Sequence, residues 1–340
     1  MSDTQLAQLA ANLATLVALS APLMLAVLGE TLTERVGVIN LSLAGTMMMG
    51  GMAGFVVAYD VSPWLGHLGL TGDTLPVLIG CLASGLIGAG AALLIAWGSA
   101  RLGQDQVAIG FVLTLLLADM ANFLGQNYTH LTGPTIAHLP IPVLQNIPII
   151  GPALFGQDLM VYGVLIGAVF LWWWMYRTQA GLQLRGVGEN PESAFARGVN
   201  VSRIRYVYTA IGGAMVGISG ACYTLDIQRG WIDNRISGVG WIALAIVIFG
   251  GWHPLRGAFG ALLYGATQTI ANLLQQQFPE VPVVLFNSFQ WLLMLSVLLL
   301  VGSKELKRLV DIAPRPLQRP LRRALRVAPP LGLGKVFVEE

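Results

Sequence analysis

Long apolar runs alternate along the chain with short connectors that are polar or rich in glycine and proline. Eight runs approach the roughly 20 mostly apolar residues that a helix needs to cross a hydrocarbon core: 12–29, 39–59, 75–98, 107–126, 159–176, 206–225, 257–276 and 283–302. The connector 127–157 is long, proline-rich and free of Asp, Glu, Lys and Arg. A ninth run, Gly238–Gly251, is apolar and bounded by glycines but holds only 14 residues. As a helix it would reach about 21 Å, short of a core about 30 Å thick. The pattern predicts an all-α polytopic membrane protein of eight to nine transmembrane helices, one of them short or broken.

Composition narrows the class. Of the 340 residues 55% are hydrophobic and only 11% charged, the net charge is +2, and the mean hydropathy is +0.69. So few charges cannot cover a soluble domain of this length, nor give the dense basic surface on which nucleic-acid binding rests. A soluble enzyme, a disordered chain and a nucleic-acid binder are all excluded. Cys81 and Cys222 both sit inside apolar runs and suggest neither a disulfide framework nor a cysteine metal site. No basic residue precedes Arg35, so the first 29 residues read as a retained span and not as a signal peptide.

Basic residues set the direction of crossing, because Lys and Arg concentrate on the cytoplasmic side. The segment 177–205 holds five and the tail after 303 holds nine, so an even number of crossings must lie between them. The eight-run count gives three. Admitting Gly238–Gly251 as a ninth crossing, followed by the turn at Trp252–Arg256, restores parity. With the N-terminus outside, 17 of the 19 basic residues then fall on inner connectors, leaving Arg229 and Arg235 outside. The expected location is the inner membrane of a prokaryote, with the C-terminus cytoplasmic. Residues 1–303 form the transmembrane body, and 304–340 a basic, proline-rich tail expected to be disordered and drawn to anionic lipid.

Broken helices at matching positions of two repeats commonly mark a transport route. Gly37–Ala44 (GVINLSLA) opens the second run and Gly238–Ala245 (GVGWIALA) the short one. Six of the eight positions are identical or similar in size, and the assigned topology runs the two in opposite directions, as an inverted repeat requires. The most polar internal stretch is 181–205. There Asn190-Pro191 marks a turn, Pro191 suits the first helical position with Glu192 in the first turn, and Gly198 ends a helix of about two turns. A helix so short is unstable alone in water, so it must dock on this chain's own helix ends or on a cytoplasmic partner.

Catalytic and metal chemistry are absent from the pattern. Gly334-Lys335 has Pro329 where a P-loop needs glycine and is followed by Val336 in place of Ser or Thr, and the four histidines are scattered. Asp119 lies about 10 Å inside the outer end of the fourth run, with Asn122 and Gln126 on the same helical face. An ionisable group at that depth is either an interhelical hydrogen-bond anchor or a route-lining group. Asn40, Ser42 and Thr46 are the polar candidates on the broken second run, and Gln268 and Asn272 their weaker counterparts in the second half. These residues also allow an ion-coupled secondary transporter or channel in which Asp119 carries a proton.

The stretch Gly29–Leu41 (GETLTERVGVINL), followed by Gly45–Gly50 (GTMMMG), resembles the N-terminal signature of permease subunits of ABC importers for nucleosides and simple sugars, within the branched-chain amino acid and ribose permease superfamily. Arg185–Pro191 (RGVGENP), with Ala194, Ala196, Gly198 and Val199, is similar to the cytoplasmic coupling segment of that family, and Gly238–Gly251 with Pro254 to its glycine-rich second-half segment. The likeness spans about 20–310. It implies a fold like that of type II ABC importer permeases and a coupling role for Arg185, Gly188, Glu189, Asn190, Pro191, Ala194 and Gly198. It also implies two ATPase domains that bind ATP-Mg in place of any cofactor in this chain, a second permease that is a paralogue, and an extracytoplasmic substrate-binding lipoprotein. Family members usually carry a glutamate just before the glycine equivalent to Gly45; this chain has Ala44.

Overall fold

The computed structural model describes residues 3–302 and 328–337. The described residues form helices and turns with three isolated β-bridges. The helices are α1 (Asp3–Arg35), α2 (Leu43–His67), α3 (Thr74–Leu102), α4 (Gln106–Gly125), α5 (Ile150–Phe155), α6 (Leu159–Arg177), α7 (Gln179–Glu189), α8 (Pro191–Ala196), α9 (Val201–Cys222), α10 (Val239–Phe249), α11 (Pro254–Gln277) and α12 (Val283–Gly302). All nine expected crossings have a helix. Helices α1, α3, α4 and α6, with Val201–Ile227, are long and apolar enough on their own to cross a membrane. Helices α2 and α11 fall outside that set because glycines and carboxamides dilute their apolar character. Those same small residues let them lie close to their neighbours.

Helix α9 is the axis of the bundle, and small residues put it there. Backbone meets backbone where Gly29 of α1 faces Gly212, Gly88 of α3 faces Gly213, Gly50 of α2 faces Gly217, and Gly220 faces Met47. Where packing rather than a hydrophobic drive holds helices together, such close approach is what stabilises them. Hydroxyls add bonds between neighbouring helices: Ser84 Oγ of α3 donates to the Gly50 carbonyl of α2 at 2.7 Å, and Thr224 Oγ1, just past α9, to the Gly51 carbonyl at 2.9 Å.

Two irregular segments interrupt the bundle, one in each half. Val36–Ser42 leads from α1 into α2 through Gly37 at φ +97°. Gln228–Gly238 enters the interior alongside α2: Trp231 packs on Gly125 and Met52, Ile236 on Gly51, and Gly238, at φ +85°, turns the chain into α10. Gly240 of α10 then lies against the backbone of Leu43 and Ala44. The apolar run 238–251 is therefore an 11-residue helix, about 16 Å long, and the irregular segment before it covers the remaining depth. The two segments expected to be an inverted pair meet at Ala44–Gly240, with α2 and α10 leaving that point toward opposite ends.

One end of the bundle collects Arg35, Glu189, Arg205 and Trp252, with residues 328–337 packed among them. The segment after α12 thus returns to the same end as the 177–205 connector, as the parity argument requires. The expected disordered tail needs correction for 328–337. Gly332 N donates to the Gly188 carbonyl at 2.8 Å, Gly334 N to the Gly37 carbonyl at 3.0 Å, and Arg205 Nη1 to the Lys335 carbonyl at 2.9 Å. Backbone partners and a buried Pro330 hold this piece. Residues 303–327, where most of the tail's basic charge lies, fall outside the described residues.

Candidate functional site

The connector 177–205 forms from local signals. Thr178 interrupts α6 and caps α7, accepting from Gly181 N at 3.1 Å. Asn190 caps α8 by accepting from Ser193 N at 2.9 Å, and Pro191 takes the first helical position. Gly198, at φ +80°, closes the helix with its N–H on the Phe195 carbonyl. The helix is six residues, shorter than the two turns expected. Pro191 and Ala194 face inward, while Glu192, Ser193, Phe195, Ala196 and Arg197 are exposed. Gly332 reaches Pro191 on that inward face, and at the end of α7 Gly188 lies against the carbonyl of Arg35, where a side chain would collide. Arg185 sits over the ring of Tyr176 at 4.7 Å and donates to the Met175 carbonyl.

Arg35 links this segment to both halves. Its Nε donates to the Trp252 carbonyl at 2.7 Å, Nη2 to the Gly251 carbonyl at 3.1 Å, and Nη1 lies 3.7 Å from Glu189 Oε1. The Trp252 indole in turn donates to buried Glu34. His253 stacks on Tyr176 at 5.2 Å, and burial with the positive charge of Arg256 and Arg35 pushes its pKa down to about 4. A folded-state value below the ordinary 6.5 makes the unfolded chain the better proton binder between those limits. Stability is therefore complete above pH 6.5 and falls as the pH drops toward 4. The loss is about 1–2 kcal/mol once solvent around this half-buried ring is allowed for. Melting in detergent at pH 7 and pH 4.5 should show a larger drop for the parent than for His253→Gln; equal drops would disprove the assignment.

Asn40, Ser42 and Thr46 come together, but around a carboxylate and not around an opening. Asn40 Nδ2 donates to Glu30 Oε2 at 3.2 Å, Ser42 Oγ donates to Asn40 Oδ1 at 2.6 Å, and the Ser42 and Thr46 hydroxyls are 3.1 Å apart. All four residues are buried. In this conformation the network ties α1 to the start of α2. Ala44 is closed off by Gly240, and the carboxylate buried beside this network is Glu30.

The outer candidates separate. Asp119 lies exposed on α4 among Leu115, Leu116, Met120 and Phe123, so it lines nothing within this chain. Asn122 instead clasps the second irregular segment, donating to Asn234 Oδ1 at 2.9 Å and accepting from Asn234 N at 3.3 Å. Gln268 and Asn272 face a cavity of about 560 Å³ between the second irregular segment, α11 and the first half of α12. The residues that helical spacing did not reveal are Glu30, Glu34 and Trp252 at the inner network, and Tyr223, Gln228 and Gln290 in this cavity.

Known proteins match most of this chain. A permease of Haloferax volcanii, provisionally named glucose ABC transporter permease protein TsgC13, is 35% identical over 248 residues, 72% of this chain and 71% of its own. The nucleoside ABC transporter permease protein NupC of Lactococcus lactis is 30% identical, covering 88% of this chain and 94% of its own. The guanosine ABC transporter permease protein NupQ of Bacillus subtilis is 30% identical, covering 85% and 90%. Second permeases of the last two organisms, NupB and NupP, match at 22% and 24% identity. The family model for permease components of branched-chain amino acid transport systems matches residues 12–301, the stretch that contains both irregular segments, helix α8 and the bundle around α9, and the chain is a member of that family.

Proposed function

We propose that this chain is one permease of an ABC importer in a prokaryotic cytoplasmic membrane, carrying a nucleoside or simple sugar delivered by an extracytoplasmic binding protein. A second permease, a paralogue as NupB stands to NupC, completes the membrane part, and two ATPase domains bind and hydrolyse ATP-Mg. Residues 1–303 are the permease body, 177–205 the cytoplasmic coupling segment, and 304–340 a tail on the same side. Gln268 and Asn272 are route residues of this reading, with Asn40, Ser42 and Thr46 opening to solute only in another conformation; Asp119, exposed on α4, and Asn122, bound to Asn234, do not line it in this conformation.

The observation that carries it is the two-sided setting of α8. The end of α7 that leads into it is held against Arg35, at the edge of the first irregular segment, through Gly188 and Glu189, and α8 itself turns Pro191 and Ala194 inward and its other face to the open. When ATP draws the ATPases together, α8 is displaced with them. Gly188 pushes on the Arg35–Val36 backbone, and Arg35 pulls on Gly251 and Trp252, so both irregular segments receive the motion. The partners need only bias two packings of similar free energy. An ion-coupled carrier using Asp119 has less support, since no polar chain leads from that residue into the bundle.

The test is co-purification of the full importer. Arg197→Glu changes only an exposed charge just past the end of α8, and it should lower the ATPase recovered with the permease about tenfold without altering permease yield. Equal ATPase recovery would refute the docking assignment.

A further inference from the structure

We infer that the cavity between Gln228–Ile242, α11 and α12 is a substrate station inside this one permease, and that it takes a neutral nucleoside by its base. The inference rests on the importer reading and names its solute. Its volume, about 560 Å³, lies within the roughly 300–1,000 Å³ usual for small-molecule sites.

Buried polar groups without partners mark it as a site. Gln290 is only 5% exposed, yet among the described residues its Nε2 has no acceptor. Among the described residues Gln228 Oε1 and the buried Tyr223 hydroxyl also have no hydrogen-bond partner. All three side chains line the same cavity. Leaving a donor and an acceptor buried and unpaired costs free energy that a ligand offering the complementary atoms would recover. Helix α10 begins at the cavity wall through Ser237 and Val239, the placement that broken helices give to solute sites.

The lining selects the class. Five carboxamides surround the space (Gln228, Gln268, Asn272, Asn287 and Gln290), together with Arg235 and no carboxylate. A carboxamide presents donor and acceptor side by side and pairs with the edge of a nucleobase. Tyr223, Tyr264 and Trp291 supply ring faces for stacking. A lone arginine without a second cation does not suit a phosphorylated solute.

The test uses the complete importer in proteoliposomes, with Cys81 and Cys222 replaced by Ala and Asn272→Cys or, separately, Asn287→Cys introduced. A membrane-impermeant maleimide modifies the new thiol while guanosine, uridine or glucose is present. The expected result is at least fivefold slower modification with a nucleoside and no change with glucose, and a roughly tenfold higher KM for nucleoside uptake in Gln290→Met at unchanged expression. If nucleoside is transported but protects neither thiol, the cavity is a water-filled vestibule only, and this inference fails while the importer reading stands. Protection by glucose alone overturns the nucleoside assignment. Uptake of neither solute by the assembled importer overturns both readings.

Discussion

Gly240→Val is expected to abolish uptake and to cost about 3 kcal/mol or more of stability, the largest effect of any single substitution proposed for this protein. Gly240 lies where α10 crosses the backbone of Leu43 and Ala44, so a side chain there meets main chain and not a flexible neighbour that could swing aside. The helices would have to part. Parting them shifts the start of α2, which Ser42 and Thr46 hold to Asn40 and Glu30, and tilts α10, whose far end carries Trp252 on Glu34. One methyl pair at this crossing thus strains both irregular segments together. Melting in detergent and uptake in proteoliposomes check it, with Gly90→Ala as control, because a Cβ on Gly90 meets only open space. A Gly240→Val protein that melts and transports like the control would show that the two segments do not bear on each other as the structure has them.

The crossing was legible in the sequence because its signals are local. Glycines bracket a run too short to span, and an odd crossing count demanded one more passage. Helix α8 was legible for the same reason: Asn190, Pro191 and Gly198 each act on the backbone within a few residues. The cavity was not legible, because Tyr223, Gln228 and Gln290 come from elements up to 67 positions apart, and helical spacing does not say which faces will meet. Asn40, Ser42 and Thr46 show a related limit. Sequence marks them as polar in a membrane span, but whether such groups line a route or satisfy one another depends on a third partner, here Glu30 from another helix. With Asp119 and Asn122 the spacing placed both on one helical face, yet Asn122 turns sideways to Asn234 while Asp119 stays outside.

Removing residues 328–340 is expected to lower the melting temperature by several degrees, although the family model ends at 301. The reason is Arg205. Its guanidinium is buried, and among the described residues Nε and Nη2 have no partner and Nη1 donates to the Lys335 carbonyl. Taking that acceptor away strands a buried charge, which costs on the order of 3 kcal/mol. The deletion also frees the Gly188 and Gly37 carbonyls and Glu189 Oε2, which accept from Gly332, Gly334 and Leu331. Two backbone bonds of that kind are worth about 1 kcal/mol each. If the stranded charge dominates, Arg205→Met should restore much of the loss in the truncated chain while changing the full-length chain little, a coupling of about 2 kcal/mol in a double-mutant cycle. If the backbone bonds dominate, Arg205→Met restores nothing. A truncated chain that melts with the parent would mean that the segment contributes no stability where it lies. The same three bonds join the coupling segment to the first irregular segment, so the truncated importer should also hydrolyse more ATP per solute moved, because motion of α8 then reaches Val36–Ser42 through Arg35 and Gly188 alone.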